Sequence, residues 1–305
     1  MKTKIIIDTD GGHDDALALM LLIKSGMFDI KAITTVAGNS VIKKATRNTQ
    51  AILDLLQVQH VPIYSGQKNP LKRKLVTAVV HGKSGLDGFD VSKTKVKLTY
   101  DAEDKIINLV KENPKQLTIL TIGPLSNIGR AIKKAPEIVP LIKKIVIMGG
   151  AINVPGNKSR VTEFNFFVDP EAAEIVFKAN VKKILIPLDP CNEITLSLDY
   201  FRKLKKTNQY IVIESMMKHF INGIKKNEGT SGALVYDVIA AYYLINPKAS
   251  TLKHMDIVIE TKGEYTFGMS VVEKRKIVRK KNNTLVIEKV KKSVFKADLI
   301  TLLNK

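Results

Sequence analysis

Four aspartates, Asp8, Asp10, Asp14 and Asp15, stand within one eight-residue segment near the start of the chain. Carboxylates packed this closely stay ionised only when a cation or strong hydrogen bonding offsets their mutual repulsion. A helix N-terminus uses one or two acids as caps, and this segment holds more than that. Oxygen ligands without a nearby pair of cysteines or histidines favour a hard cation, Ca²⁺ or Mg²⁺, over zinc. The segment therefore predicts a divalent-cation site.

The elements around this segment should place it at the edge of a sheet. The apolar run Lys4–Asp8 predicts a buried strand, and the apolar spacing of His13–Ile23 predicts a helix. The pair Gly11-Gly12 would let the chain turn sharply between them. Asp14-Asp15 would then fall in the first helical turn, where the helix dipole stabilises negative charge, although one of the two could be an ordinary cap.

The alternation of strands and helices continues along the chain. Strands rich in Ile, Val and Leu on both faces are typical of parallel sheets covered by helices on each side. We therefore predict an α/β fold with a mostly parallel central sheet, helices on both faces and a single domain over residues 1–305. Ligands in such folds bind beyond the carboxyl ends of the strands. The predicted strands are Lys4–Asp8, Ile30–Val36, Leu117–Ile122, Lys144–Met148 and Lys183–Leu188, and the predicted helices are His13–Ile23, Val41–Leu56, Ala102–Lys111, Leu125–Lys134 and Pro170–Ala179.

The C-terminal third has a different pattern. The segment Leu198–Ile245 has the spacing of helices throughout, with a break at Lys226–Ser231. Beyond it the sequence predicts strands at Met255–Glu260 and Thr284–Ile287 and a last helix at Ala297–Leu303.

Composition excludes several classes of protein. The net charge is +20, with basic runs at Lys274–Lys281 and Lys289–Lys296. No aromatic residues interleave with these lysines as a base-stacking platform requires, so we expect a solvated basic surface and no nucleic acid partner. No run approaches the roughly 20 apolar residues of a membrane span, so no membrane association is expected. The short apolar run Ile5–Ile7 and the single cysteine, Cys191, favour a cytoplasmic protein.

The aspartate segment resembles a known family signature. Asp8–Ala16 is similar to the motif Asp-x-Asp-Pro-Gly-x-Asp-Asp-Ala of the inosine–uridine-preferring nucleoside hydrolases. One position differs, because Gly11 stands where the family usually has proline. Glycine can adopt the φ angle that proline fixes, so we expect the same turn with more freedom.

Further segments resemble the same family in the same order. Each is short and weak alone, and together they extend from Asp8 to Ala173, with a weaker match at Asp237. Ile33–Asn39 is similar to the family's second strand and its substrate asparagine, and His81–Gly85 to its His-Gly-x-x-Gly loop. The remaining matches are Gly123–Asn127, Met148–Gly150, Glu163–Asn165 and Asp169–Ala173.

The resemblance implies calcium-dependent hydrolysis of the N-glycosidic bond of ribonucleosides, which would give ribose and free base for nucleoside salvage. Asp10, Asp15, Asp237 and the backbone carbonyl of Ile122 would bind Ca²⁺. Water and the ribose 2′- and 3′-hydroxyls would complete its usual six to eight oxygen ligands. Asp10 would act as general base on a water whose pKa the metal lowers. The partner is then a small ribonucleoside, and the family commonly forms homodimers or homotetramers.

The resemblance also implies which residues hold the substrate. An oxocarbenium-like charge develops on the ribose as the bond breaks, so polar side chains should grip the sugar. Glu163 and Asn157 would hold the 5′-hydroxyl, and Asp14, Asn39 and Asn165 the 2′/3′ edge. Asn39 would also take part in catalysis. Met148 and Phe164, from the matching segments, would line the same pocket.

The residue that protonates the leaving base is left open. The nearest relatives have a histidine before the matching aspartate, whereas this chain has Tyr236. A tyrosine can stack on the base or donate a hydrogen bond, but its pKa near 10 makes it a poor proton donor. His81 is the second candidate near the base. The preference for purine or pyrimidine therefore stays open.

Two other functions fit parts of the sequence. A phosphatase of the haloacid dehalogenase type also ends a strand in Asp-x-Asp-Gly, with Asp8 as nucleophile and Asp10 as acid and base. That family expects a hydroxyl residue where this chain has Gly12, and it has no use for Asp15. A ribonucleoside-binding protein without turnover is the alternative that Tyr236 suggests, although Asp10 is useful mainly for activating water.

Overall fold

One mostly parallel sheet runs through the part of the chain that the computed structural model describes, residues 2–275 and 284–305. The strands are β1 Thr3–Thr9, β2 Phe28–Thr35, β3 Ile63–Ser65, β4 Thr118–Thr121, β5 Lys144–Met148, β6 Lys183–Ile186, β7 Thr195–Leu196, β8 Ala233–Leu234, β9 Ser250–Met255, β10 Ile257–Ile259, β11 Ser270–Val272 and β12 Thr284–Val290. The α-helices are α1 His13–Ser25, α2 Ile42–Leu55, α3 Ala102–Glu112, α4 Ser126–Lys134, α5 Phe164–Val168, α6 Pro170–Lys178, α7 Leu188–Cys191, α8 Leu198–Phe201, α9 Asn208–Glu228, α10 Tyr236–Ile245 and α11 Lys292–Leu303, with 3₁₀ helices at Pro136–Leu141 and Pro247–Ala249.

The order of strands in the sheet places β1 near its centre. The order is β3-β2-β1-β4-β5-β6-β12-β9, and every neighbouring pair is parallel except β12 and β9. The chain first adds strands on one side of β1 and then, from β4 onward, on the other. Crevices for ligands form at such a switch point, beyond the carboxyl ends of the strands. The aspartate segment follows β1 directly and therefore lies there.

Side chains along β1 point alternately to the two faces of the sheet, and each face has its own hydrophobic core. Ile5 and Ile7 belong to the core that contains α1, α2, α9, α10 and α11. Ile6 points to the opposite core, which contains α3, α4 and α6. Both faces of the sheet are thus covered by helices, which confirms the predicted fold class. The assignment of residues 1–305 to one domain stays a prediction.

The predicted central elements are confirmed to within a few residues. The short edge strand β3 was not predicted, and the other main errors lie toward the C-terminus. The strand predicted at Met255–Glu260 is wrong as one element, because β9 ends at Met255 and β10 pairs with β11 in a separate small sheet. β9 is an edge strand with polar residues along it, so its apolar signal is weak. The all-helical prediction for Leu198–Ile245 missed β8, and α9 continues past Lys226 to Glu228. The last helix starts five residues earlier than predicted, at Lys292.

Helix α9 is amphipathic and borders the crevice. Its buried residues Ile213, Met216, Phe220 and Ile224 recur at helical spacing. Among the helices that the structure describes, none has the length and hydropathy that a bilayer crossing requires. Of the basic run Lys274–Lys281, residues 276–281 lie outside the described residues.

Candidate active site

A cavity of about 310 Å³ opens at the carboxyl edge of the sheet, beside the end of β1. Its walls come from the loop after β2, from a loop near residue 80, from α9 and from the start of α10. Every predicted site residue except Asp10 and Asp15 lines it. These residues are Asp14, Asn39, His81, Ile122, Met148, Asn157, Glu163, Phe164, Asn165, Tyr236 and Asp237.

Asp10 and Asp15 lie directly beneath the cavity floor, both fully buried. Asn39 connects them to the cavity. Its backbone N–H donates to Asp10 Oδ2 at 2.7 Å, and its side-chain Nδ2 donates to Asp10 Oδ1 at 2.8 Å. The same Nδ2 lies 3.3 Å from Asp15 Oδ2. Asn39 therefore fixes the orientation of the Asp10 carboxylate.

Asp15 is held by the turn that starts α1. The N–H of Gly12 donates to its Oδ2 at 2.9 Å, and the N–H of Asp10 donates to its Oδ1 at 3.1 Å. The hydroxyl of Thr9 donates to the same Oδ1. Asp15 thus caps the helix as well as contributing to the acidic cluster, so the two roles considered for it from the sequence coexist.

Three carboxylates from distant parts of the chain meet here. Oxygen atoms of Asp14, Asp15 and Asp237 all lie within 4.8 Å of one another, and all three residues are buried. Asp14 and Asp15 belong to the first turn of α1, and Asp237 to the first turn of α10. The two helices pack against each other, which brings their N-termini together. The structure therefore brings together two of the expected metal ligands, Asp15 and Asp237. Asp14 joins this group, and Asp10 lies next to it.

The buried carboxylates of this cluster repel one another, so a positive charge among them would stabilise their ionised forms. Burial, followed by the charge of Asp15, raises the pKa of Asp14 to about 8 and raises that of Asp10 well above its usual value. The pKa of Asp237 is also raised well above its usual value, by burial and then by Asp14, Asp15 and Asp10. Buried carboxylates in this state are stabilised by a divalent cation, and a set of oxygen donors fits a hard one. The residues present therefore fit a Ca²⁺ or Mg²⁺ ion.

Asp8 is separate from this cluster. It lies in β1, fully buried, and its Oδ1 accepts hydrogen bonds from the Thr34 hydroxyl and from Asn127 Nδ2. Burial raises its pKa to about 7, and its Oδ2 has no hydrogen-bond partner among the described residues. Asp8 does not line the cavity, so the nucleophile of the phosphatase alternative has no access to a substrate there.

The turn before α1 differs from the expectation. Gly11 has φ +70°, a left-handed conformation that proline, with φ fixed near −65°, does not adopt. The expectation that glycine would reproduce the proline angle is therefore wrong. A Cβ at Gly11 would also lie 2.7 Å from the carbonyl oxygen of Ala45, because helix α2 packs directly against this turn.

Glu163 and its neighbours form a polar wall of the cavity. The Glu163 carboxylate caps α5 and accepts from the N–H groups of Asn165 at 2.8 Å and Gly150 at 3.0 Å. Burial raises its pKa to about 7. Asn165 Nδ2 donates to the carbonyl of Met148 at 3.2 Å, and Asn157 Oδ1 accepts from the N–H of Phe164 at 2.9 Å. These contacts hold the polar wall in place and leave further lone pairs on Glu163 and Asn157 for a ligand.

The remaining wall is largely apolar and includes both candidates for contacts to a base. Tyr236 is the first residue of α10, and its hydroxyl donates to Asn192 Oδ1 at 3.0 Å. His81 is buried, and burial together with His13 lowers its pKa well below the usual value.

Sequence reasoning missed several cavity residues. Phe220, Ile224 and Asn227 of α9 line the cavity, as do Lys158 and Leu234. The helical spacing of α9 showed which of its residues are buried, but an apolar face carries no chemical signal that it borders a ligand site.

Comparison with known proteins decides the family. The profile of the inosine-uridine preferring nucleoside hydrolases matches residues 5–297. The chain belongs to this family. The pyrimidine-specific ribonucleoside hydrolase RihA of Salmonella paratyphi C is 35% identical over 300 residues, which cover 97% of this nucleoside hydrolase and 96% of the relative.

Solved structures agree with this nucleoside hydrolase in fold. A purine-preferring ribonucleoside hydrolase from Gardnerella vaginalis superposes with a TM-score of 0.92 at 27% identity and covers 99% of this chain and 98% of its own. A plant nucleoside hydrolase gives a TM-score of 0.91 at 24% identity, with 100% and 99% covered. The protein is an enzyme that hydrolyses ribonucleosides, and the two alternatives from the sequence, a phosphatase and a binding protein without turnover, are wrong.

The position of Asp10 in this nucleoside hydrolase depends on a glycine. A Cβ added to Gly38 would lie 2.1 Å from Asp10 Oδ2 and 2.7 Å from a ring carbon of Pro124. Neither neighbour has room to move, because Asn39 holds the carboxylate and Pro124 is buried in the loop between β4 and α4.

Gly38→Ala is therefore expected to displace Asp10 and lower kcat/KM at least about 100-fold, the usual consequence of misplacing a catalytic group by about 1 Å. Steady-state kinetics with a ribonucleoside measures this. Ser40→Ala is the matched control in the same loop, since the buried Ser40 hydroxyl has no hydrogen-bond partner among the described residues. Equal kcat/KM for both variants would contradict the role given to Gly38.

Proposed function

We propose that this enzyme hydrolyses the N-glycosidic bond of ribonucleosides in a Ca²⁺-dependent reaction that releases ribose and free base. The observation that carries the proposal is the meeting of three buried carboxylates, Asp14, Asp15 and Asp237, two of which, Asp14 and Asp237, line the cavity. The relatives named above act on pyrimidine or purine ribonucleosides, so a ribonucleoside is the proposed partner here too.

The ion would be held by Asp10, Asp15, Asp237 and the backbone carbonyl of Ile122, which follows β4 and lines the cavity. When bound, Ca²⁺ lowers the pKa of water and binds the neighbouring hydroxyls of a ribose. Calcium is preferred to magnesium because it accepts six to eight oxygens in irregular geometry, whereas magnesium demands a regular octahedron.

Asp10 is the proposed general base. Its carboxylate lies under the cavity with both oxygens oriented by Asn39, and each oxygen keeps a lone pair for a further contact. It would take a proton from the attacking water as the water adds to the anomeric carbon, while the bond from that carbon to the base nitrogen breaks and its electrons leave with the base.

The cavity walls would hold the ribose while positive charge develops on it. Asp14, Asn39 and Asn165 would contact the 2′/3′ edge, and Glu163 and Asn157 the 5′-hydroxyl. Carboxylates at both ends of the sugar would stabilise an oxocarbenium-like transition state electrostatically. Met148 and Phe164 are expected to complete the pocket.

Tyr236 and His81 are the proposed residues on the side of the base. The hydroxyl of Tyr236 is already bonded to Asn192, so we assign its ring to contact with the base. We also keep as proposals a role in nucleoside salvage, a cytoplasmic location and assembly as a homodimer or homotetramer.

The proposed reaction is tested by a reducing-sugar assay on inosine, uridine, cytidine and adenosine, with and without a calcium chelator. Sugar is expected from at least one ribonucleoside, and chelation should abolish it. The matched 2′-deoxyribonucleoside should react at least about 100-fold more slowly, because it lacks one of the two hydroxyls that the ion binds. Turnover that survives both chelation and loss of the 2′-hydroxyl would contradict the proposal.

Asp10→Asn is expected to lower kcat about 1000-fold at saturating Ca²⁺, within the range that general bases contribute, and to change KM little. Asp8→Asn is the matched control, since it removes a carboxylate from the preceding strand that does not line the cavity. Comparable kcat values for the two variants would exclude Asp10 as the base.

Calcium should stabilise the protein in a pH-dependent manner. The pKa of Asp14 is raised from 3.8 to about 8, so its contribution favours the metal-free fold below pH 3.8 and is lost as pH rises through about 8. Bound Ca²⁺ offsets this loss. Thermal denaturation should therefore show a larger Ca²⁺-induced increase in Tm near pH 8.5 than near pH 5.5, where protons compete with the ion.

Asp237→Asn should reduce this increase at both pH values, and a substitution of an exposed acid such as Glu112→Gln should not. An increase in Tm that is equal at the two pH values, or unchanged by Asp237→Asn, would be inconsistent with calcium binding at the cluster.

A further inference from the structure

Lys158 is a cationic residue of the cavity that the proposed reaction does not use. It belongs to the loop that joins β5 to α5, and its half-buried side chain lines the cavity, as does that of Asn157. Its ammonium lies 5.8 Å from the ring centre of Phe164 and 5.9 Å from that of Phe167. It has no hydrogen-bond or ion-pair partner among the described residues, so all three of its N–H donors stay available.

Hydrogen bonds within the loop fix the backbone that carries this lysine. The N–H of Lys158 donates to the carbonyl of Thr162 at 3.1 Å, and the N–H of Thr162 donates to the hydroxyl of Ser159, also at 3.1 Å. The Thr162 hydroxyl donates to the carbonyl of Phe267 at 2.9 Å, which anchors the loop to the turn between β10 and β11. A Cβ at Gly156 would lie 2.2 Å from the Thr162 carbonyl oxygen, so the loop is tightly closed.

A lysine in this cavity does not suit a neutral substrate alone. Positive charge develops on the ribose as the N-glycosidic bond breaks, so a nearby ammonium raises the energy of that transition state. A negatively charged group on the ligand would offset this effect by pairing with the ammonium. A ribonucleoside has no such group, whereas a phosphorylated ribonucleoside does.

The neighbours of Lys158 indicate where on the ribose that group would be. Asn157 is proposed to hold the 5′-hydroxyl, and its Oδ1 accepts from the N–H of Phe164, which leaves its Nδ2 to donate. Glu163, proposed for the same end of the sugar, already accepts from three backbone N–H groups, which offset its charge. Nδ2 of Asn157 and Nζ of Lys158 therefore provide donors that match the oxygens of a phosphate.

We propose that Lys158 and Asn157 form a subsite for a phosphate on the 5′ carbon of the ribose, so that ribonucleoside 5′-monophosphates bind this enzyme more tightly than the corresponding ribonucleosides. The inference rests on the proposed function, which places the 5′ end of the sugar at Asn157. A ligand of this class keeps the 2′- and 3′-hydroxyls that the proposed ion would bind. Its phosphate accepts from Nδ2 of Asn157 and pairs with the Lys158 ammonium.

Isothermal titration calorimetry tests the preference directly. The Kd values of uridine and uridine 5′-monophosphate, and of inosine and inosine 5′-monophosphate, are measured with Ca²⁺-loaded Asp10→Asn, in which turnover is slow enough for binding to equilibrate. At least one monophosphate should have a Kd at least about tenfold lower than its ribonucleoside, the effect of one hydrogen bond between charged groups. Monophosphates that bind no more tightly than their ribonucleosides would overturn the proposal.

A matched pair of variants separates Lys158 from the overall positive charge of the protein. Lys158→Met and Arg160→Met each remove one positive charge from the same loop, but Arg160 is exposed and does not line the cavity. Lys158→Met should abolish the preference for the monophosphate, Arg160→Met should retain it, and Lys158→Arg should keep most of it. An equal loss in Lys158→Met and Arg160→Met would show attraction by net charge and refute the subsite.

Orotidine tests the position of the charge, because it is a uridine with a carboxylate on the base. Lys158→Met should change the Kd values of orotidine and uridine by the same factor. A preference for orotidine that disappears in Lys158→Met would place the ammonium beside the base and contradict the proposal. If no ribonucleoside is hydrolysed, the proposed function fails, while the titrations still test the subsite because they measure binding.

Discussion

The packing of α1 against α10 forces several negative charges into one buried place, and the rest of the site depends on this constraint. Asp14 and Asp15 start one helix and Asp237 starts the other, so the contact between the helices brings their N-terminal carboxylates together. Both helix dipoles offset part of the repulsion, but each contributes no more than about 2 kcal/mol even in a partly buried geometry. The apolar contacts along the two helices must supply the rest until a cation binds.

The position of β1 in the sheet places the acidic cluster beside a crevice that a ligand can enter. Because β1 lies where the strand order reverses, the segment after it faces a crevice and is not covered by a neighbouring connection. Around the crevice each acid has a different environment. Asp8 is enclosed by hydrogen bonds within the sheet, Asp10 is oriented by Asn39, and Asp15 caps its own helix. One short acidic segment thereby provides a structural residue, a proposed base and a proposed metal ligand.

The sequence predicted the sheet and the first helices because buried parallel strands and amphipathic helices have distinct periods. It predicted the acidic cluster because helix capping, the ordinary structural role of such aspartates, does not require four of them in one short segment. Asp237 is more than 200 positions away in the chain, and only family resemblance connected it to Asp10. The conformation of Gly11 could not be predicted, because its φ angle depends on the approach of α2. Such contacts are set by packing and leave no periodic signal.

The central claim is that carboxylates from the first and the last third of the chain bind one divalent ion. Crystals grown with Mn²⁺ in place of Ca²⁺ test it most directly, because Mn²⁺ accepts the same oxygen ligands and gives a strong anomalous signal. We predict one anomalous difference peak within bonding distance of Asp15 and Asp237. A map with no peak there, in which these carboxylates share protons and bond to each other, would contradict the account.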